Sequence, residues 1–268
     1  MLYDNHMHTS FSGDSDANPD EMAATAKAKG LRGITFTDHI DFDYRVDPGQ
    51  FEIEDMENYF LSHAATGQKY NDEQFEILTG IELGLQTQIA ARNAEFVITY
   101  PFDVVIGSIH VVDFMDPYFD DYWKVYPGSK GHLKFYETTL ENLKSFHDFD
   151  TLGHLDYIFR YNRTRNNPDT YTNFRDIVDA ILEEIIKHDI ALEINTGSFK
   201  SGMTYTNPMP SIIKRYKELG GKLITIGSDA HNTSHVALGF EKLPSLLNEC
   251  GFDSYFIFKK RNATEIAI

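Results

Sequence analysis

Histidines and carboxylates recur in this sequence in short clusters of a kind that divalent cations use. His6-Met7-His8 puts two imidazoles on one side of an extended strand, because side chains alternate with a period of two. Two nitrogens on one side can hold one metal ion. Asp229-Ala230-His231 has the same spacing and can do the same or reach two ions. Glu82 has two oxygens and can bridge two ions, while His39, His110 and His154 each follow a short apolar run. Imidazole and carboxylate together suit zinc, iron or manganese rather than calcium or magnesium alone. Ions about 3.5–4 Å apart can activate a water, clamp a phosphoryl oxygen and stabilise a leaving oxygen.

Each piece also has a plainer reading. A lone His-x-His is often a partly exposed strand, His39 or His110 alone could be a satisfied core histidine, and Asp229 could cap a turn. Glu82 could pair with an arginine. Phosphate recognition has its own candidates: Arg160 lies just past a strand end, where a guanidinium can grip a phosphate in bidentate fashion. Arg163 and Arg165 read as a solvated basic loop. Lys200 follows Asn195-Thr196-Gly197 and points to the same mouth. Asp41 and Asp43 follow His39 by two and four residues; they suit a cationic substrate group or a turn cap equally well. His63, His132, His147, His188 and His235 read as packing or surface residues, and Cys250 as a buried small hydrophobe.

The elements that position these groups alternate between strand and helix. Asn18 caps a first helix, Pro19 suits its first turn, and Gly30 closes it. Strands are expected at 33–37, 75–81, 102–109, 150–153, 191–195, 222–227 and 255–258. Helices are expected at 55–70, 85–96, 133–147, 174–187, 210–219 and 243–249, and 112–131 reads as a long loop over one face. Strands separated by helices imply parallel pairing with right-handed crossovers, hence a closed or nearly closed (β/α) barrel or a doubly wound open sheet. No glycine-rich phosphate loop follows the first strand, which weakens a nucleotide fold. In a parallel barrel the C-terminal strand ends share one face. His6 and His8, Asp38-His39, Glu82, His110, His154-Leu155-Asp156, Asn195 and Asp229-Ala230-His231 all sit at such ends. The plainer readings do not produce that coincidence.

Length and composition agree. The chain has 268 residues, 41% of them hydrophobic, so it can bury a large core and is not disordered. With 41 acidic against 24 basic residues its net charge is −17, which disfavours nucleic acid and anionic lipid as stable partners. One cysteine excludes a disulfide framework and a Cys-rich zinc site. No apolar stretch reaches the ~18 residues of a membrane span, and the N-terminus has no signal-peptide character; a cytoplasmic protein is expected.

The motifs His6-Met7-His8-Thr9, Thr37-Asp38-His39, Gly80-Ile81-Glu82, Ser108-Ile109-His110, Gly153-His154-Leu155-Asp156 and Gly227-Ser228-Asp229-Ala230-His231 resemble, in order and over essentially the whole chain, the PHP (polymerase and histidinol phosphatase) superfamily. Longer stretches, from Phe36 to Tyr44, from Leu152 to Tyr157 with Arg160-Tyr161, and Glu193-Ile194-Asn195-Thr196, are similar to its metal-dependent histidinol-phosphate phosphatase branch. The resemblance implies one α/β domain over 1–268, a distorted (β/α)7 barrel with a trinuclear metal site at the strand C-termini. One ion would take His6, His8, Glu82 and Asp229. A second would share Glu82 and add His110 and His154. A third would take His39 and His231, with Asp14 where some relatives have histidine. Arg160 resembles the phosphate-binding arginine, and Lys200 stands near a position that is often arginine. The implied reaction is hydrolysis of L-histidinol phosphate by attack of a metal-bridging hydroxide, with His6, His8, Glu82 and Asp229 at its centre. Two or three zinc, iron or manganese ions, a small phosphate monoester and no membrane are expected, and a homo-oligomer is compatible with the sequence. A nucleotide phosphatase or exonuclease of the same superfamily is the alternative. An accessory polymerase domain would lack ligands, and an amidohydrolase-type barrel would carry a strand-end lysine that is not found here.

Overall fold

The computed structural model describes residues 2–161 and 170–268. Its strands are β1 (Tyr3–Met7), β2 (Gly33–Phe36), β3 (His39–Ile40), β4 (Glu76–Thr79), β5 (Ile81–Gly84), β6 (Val105–Ser108), β7 (Thr151–Leu152), β8 (Ala191–Asn195), β9 (Ile224–Gly227), β10 (Ser254–Lys259) and β11 (Asn262–Ala267). The helices are α1 (Pro19–Ala28), α2 (Met56–Tyr70), α3 (Ala90–Thr99), α4 (Asp120–Val125), α5 (Ser129–Ser145), α6 (Thr170–Asn173), α7 (Arg175–Lys187), α8 (Pro210–Glu218) and α9 (Leu243–Glu249).

All pairings among β1 to β9 are parallel, in the orders β1-β2-β4 and β3-β5-β6-β7-β8-β9. Only Thr37-Asp38 separates β2 from β3, and only Gly80 separates β4 from β5. Each pair is one strand with a jog, so the described residues make seven strand positions in sequence order. Glycine is required at the second jog, since a Cβ on Gly80 would lie 2.5 Å from Val104 Cγ1 and 2.6 Å from its carbonyl oxygen. The result is the expected α/β fold with parallel strands. Its first and last positions meet at an isolated Met7–Ala230 bridge rather than along a ladder. Asp229 N donates to His6 O and His8 N to Ala230 O, both at 2.8 Å. Farther down this seam side chains replace the backbone: Asn5 Nδ2 donates to Ile226 O, and Asp4 accepts from Ser228 N and Oγ.

Strands such as β1, β2, β5, β6, β8 and β9 are buried at every residue, as parallel strands covered on both faces must be. Ile34, Phe36, Ile81, Val105, Leu192, Ile194, Ile224 and Ile226 form the centre of one core cluster. The first helix starts as expected, with Asn18 Oδ1 accepting from Asp20 N at 2.8 Å. Three expectations change. The segment 112–131 contains α4 and the start of α5, so it is not a continuous loop. The helix expected at 85–96 begins later, after a 3-10 turn at Thr87–Ile89. The last strand is half of an antiparallel hairpin, β10-β11.

His63, on α2, is a packing residue with a consequence for acid stability. It lies under Phe11, Phe36 and Tyr59, and neither ring nitrogen has a hydrogen-bond partner. The nearest carboxylate oxygen, Asp38 Oδ2, is 3.7 Å away, too far for a hydrogen bond. Burial pushes its pKa down to about 3. The unfolded chain, with a His pKa near 6.5, therefore takes up this proton first. Stability from this residue is complete above pH 6.5 and is lost as pH falls toward 3. The expected loss at pH 5 is about 2 kcal/mol. His63→Phe is expected to remove it, so that urea-unfolding curves of variant and parent, compared at pH 7.5 and pH 5, diverge by that amount. Parallel pH dependences would refute the assignment.

Candidate active site

The metal-competent side chains leave the C-terminal ends of the strands, or the loops just beyond them. His6 comes from β1 and His8 from just beyond it, His39 from β3, Glu82 from β5, His110 from beyond β6, His154 from beyond β7, and Asp229 and His231 from beyond β9. Two of these positions are strained. His154 has φ 20° and Asp229 has φ 54°, backbone regions that non-glycine residues rarely occupy and that concentrate at functional sites.

Glu82 is fully buried at the centre. Its Oε2 lies 3.1 Å from His6 Nε2, 3.4 Å from His8 Nε2 and 3.1 Å from His39 Nδ1. Its Oε1 lies 2.9 Å from His154 Nε2 and 3.2 Å from His110 Nε2, and accepts from Ser108 Oγ. On the outer side His8 stacks between His39 and His231, with ring centroids at 4.3 and 4.0 Å. Asp14 Oδ2 is 3.2 Å from His231 Nε2 and 3.8 Å from His39 Nε2. Asp229 Oδ1 is 3.6 Å from His8 Nε2 and 3.4 Å from His231 Nδ1.

This donor set fits divalent cations. His6, His8 and Glu82 bring one ligand atom each to within 4.8 Å of one another, as do Glu82, His110 and His154, and His8, His39 and His231. Glu82 Oε2 and His39 Nδ1 are buried with no hydrogen-bond partner, although each faces the other's group. Burial, then the neighbouring His231, His39 and His6, holds His8 well below its ordinary pKa, so its ring is neutral and offers a lone pair. Burial opposes charge on Glu82, but His6, His39 and His110 outweigh it and keep the carboxylate ionised.

The site opens into a cavity of about 590 Å³. Arg160 and Lys200 stand on its wall beside Asp229. Arg160 is held by three acceptors at 2.8 Å each: Asn207 Oδ1, Asp229 Oδ2 and Asn195 Oδ1. Lys200 Nζ donates to the Asp229 carbonyl and lies 3.6 Å from Oδ1. Gly197 permits this packing, since a Cβ would sit 2.8 Å from Asp229 Oδ2 and 3.1 Å from Arg160 Nη2. Asp41 lines the cavity, but its carboxylate is taken by His110 Nδ1 at 2.9 Å. Asp43 does not belong with it: its backbone turns at φ 58°, and its carboxylate pairs with Arg45 at 3.1 Å, outside the residues lining the mouth. Arg163 and Arg165 lie outside the described residues.

Three groups had no role assigned from sequence. Glu193, inside β8, contacts His6 Nδ1 at 2.6 Å. Asp38 is buried and accepts from Thr9 N and from Ser12 Oγ, and Ser12 in turn meets His8 Nδ1 at 3.0 Å. Asp116 lines the mouth, accepts from Tyr44 Oη at 2.8 Å, and is raised in pKa by burial. The available signal was a charged residue within an otherwise apolar strand, as in Ala-Leu-Glu-Ile-Asn. A carboxylate buried there needs a partner.

The PHP domain family model matches residues 4–197. A probable histidinol-phosphatase of Clostridium acetobutylicum is 35% identical over 261 residues, covering 97% of this chain and 98% of its own. The histidinol-phosphatase of Lactococcus lactis is 29% identical, with 95% and 93% covered. A crystal structure of histidinol phosphate phosphatase from Lactococcus lactis, complexed with zinc, L-histidinol and phosphate, superposes with a TM-score of 0.89 at 27% identity over 98% of both chains. The family model covers well over half of the chain, and the relatives and the fold extend past it over Asp229 and His231; on that ground the chain belongs to the PHP domain family.

Proposed function

We propose that the chain is a metal-dependent phosphomonoesterase that hydrolyses L-histidinol phosphate to L-histidinol and phosphate, a step of histidine biosynthesis. The observation that carries the reading is one buried carboxylate, Glu82, facing five imidazoles at the base of a mouth whose wall holds Arg160 and Lys200. The relatives named above support the substrate.

Two or three divalent cations of the zinc, iron and manganese class would be held by three sets. These are His6, His8, Glu82 and Asp229; Glu82, His110 and His154; and His39, His231 and Asp14. When bound, such ions supply Lewis-acid activation of water and neutralise phosphoryl charge. The chain's own residues do the rest. Arg160 presents its remaining N–H groups to the phosphate, and its contact with Asp229 keeps the guanidinium beside the ligand cluster. Lys200 adds a second positive charge. Asp116, Tyr44 and Tyr118, which also line the mouth, suit an ammonium and an imidazole. No helix among the described residues is long and apolar enough to cross a membrane.

The test is phosphate release from L-histidinol phosphate beside nucleoside monophosphates and sugar phosphates. Chelator treatment is expected to abolish turnover, and zinc, manganese or iron to restore it. A preference of at least about 100-fold in kcat/KM for histidinol phosphate is expected. Equal or better rates on nucleotides would replace this substrate and keep the phosphatase.

A further inference from the structure

The Glu193 carboxylate is 1% exposed and accepts from three groups that belong to different parts of the site. Oε1 faces His6 Nδ1 at 2.6 Å, while Oε2 accepts from His154 N at 2.8 Å and from Asn195 Nδ2 at 3.1 Å. Asn195 extends the chain of contacts, since its Oδ1 accepts from Arg160 Nη2 and from Gly197 N, both at 2.8 Å. We propose that Glu193 is a positioning residue that aims the His6 imidazole at the cations and, through Asn195, the Arg160 guanidinium at the phosphate, so that both affinities depend on one carboxylate. The proposal rests on the function stated above.

The argument is one of donor and acceptor roles. An ionised carboxylate can only accept. His6 must therefore carry a proton on Nδ1, which leaves Nε2, the atom facing His8 and Glu82, as the one that would meet a cation. Outer partners of this kind fix both the tautomer and the ring orientation of metal-binding histidines. The same logic fixes Asn195. Its NH2 must face Glu193, so its oxygen must face Arg160, and a flip would set an NH2 against a guanidinium. His154 N–H, at a strained φ of 20°, is held by the same oxygen as Asn195.

Glutamine cannot reproduce this, because it has one accepting oxygen and one donating NH2. Whichever way it lies, either the His6 arm or the His154–Asn195 arm meets a donor. The experiment compares Glu193→Gln with the parent and with Asp150→Asn. Asp150 is a buried carboxylate that accepts from Val105 N and pairs with Arg261, away from the mouth. It controls for loss of stability alone. Zinc affinity is read by elemental analysis against buffered zinc, and inorganic-phosphate affinity as product inhibition at saturating zinc. Expected for Glu193→Gln are a 10- to 100-fold weaker zinc affinity and about tenfold weaker phosphate inhibition, with both unchanged in Asp150→Asn. Phosphate inhibition equal to the parent's at saturating zinc overturns the coupling, as does a Glu193→Gln protein that matches Asp150→Asn in every readout. Glu193→Asp, one methylene too short to span both arms, is scored by the same criteria if the amide variant does not fold. Parent turnover of L-histidinol phosphate is measured alongside. Its absence would remove the proposed substrate; phosphate affinity is then read by titration calorimetry of the zinc-saturated proteins, so that zinc and phosphate binding still judge Glu193.

Discussion

Glu82→Gln is expected to lower kcat/KM for L-histidinol phosphate by roughly a thousandfold or more, a loss of at least about 4 kcal/mol of transition-state stabilisation. It should also leave the purified protein short of metal. The reason lies in the geometry around the carboxylate. Both oxygens point at imidazole nitrogens, three on Oε2 and two on Oε1. An amide there is isosteric but neutral: its NH2 cannot ligate a cation, and by donating to an imidazole nitrogen it would occupy the lone pair that a cation needs. Every ligand set that shares Glu82 is then weakened at once. Elemental analysis together with steady-state rates measures both effects. A Glu82→Gln protein with parental metal content and rate would end the assignment of this cluster as the catalytic centre.

Arg160→Met is expected to lower kcat/KM by about a hundredfold or more, the equivalent of one or two charge-assisted hydrogen bonds to a phosphate. The side chain is half of a matched pair with Asp229, its Nη1 2.8 Å from Oδ2. Burial opposes charge on Asp229, while Lys200 first and Arg160 next hold its pKa well below the usual carboxylate range. Removing the arginine thus costs phosphate binding directly and leaves Asp229 less strongly ionised. Arg160→Lys is expected to recover little, because an ammonium cannot span Asn195, Asn207 and Asp229 as a fork does. Separate measurement of kcat, KM and phosphate inhibition checks this. An unchanged KM and an unchanged phosphate inhibition constant would place the phosphate elsewhere in the mouth.

Much of this site is legible before any fold is seen, and the reason is periodicity. Strand-end positions repeat with each strand–helix unit, so His6, His39, Glu82, His110, His154 and Asp229 declare a common face once the strands are placed. What is not legible depends on pairing across long sequence separations. Glu193 meets His6 over 187 positions, and no local pattern reports that a β8 side chain ends against a β1 imidazole. Asp43 shows the opposite failure. Its spacing from His39 suggests the mouth, but a left-handed turn carries it out to Arg45. The β10-β11 hairpin is hidden for a related reason. Its turn uses Lys260 and Arg261 at φ 50° and 64°, where the usual signal is asparagine or glycine. The jog at Gly80 needs knowledge of Val104, which arrives from the next strand position.

The seam between β9 and β1 has a consequence for how cohesion and chemistry are related. One lip carries His6 and His8, the other Asp229 and His231, and the backbone joins them only around Met7 and Ala230. Ions held among those four side chains, as proposed above, would act as the clasp of a hoop whose two ends are more than 200 positions apart in the chain. Ligands that bind only the closed form stabilise it by mass action. Catalytic residues usually weaken the scaffold that carries them. Here a loaded site would fasten the scaffold, so that selection for activity and selection for integrity would act on the same side chains in the same direction.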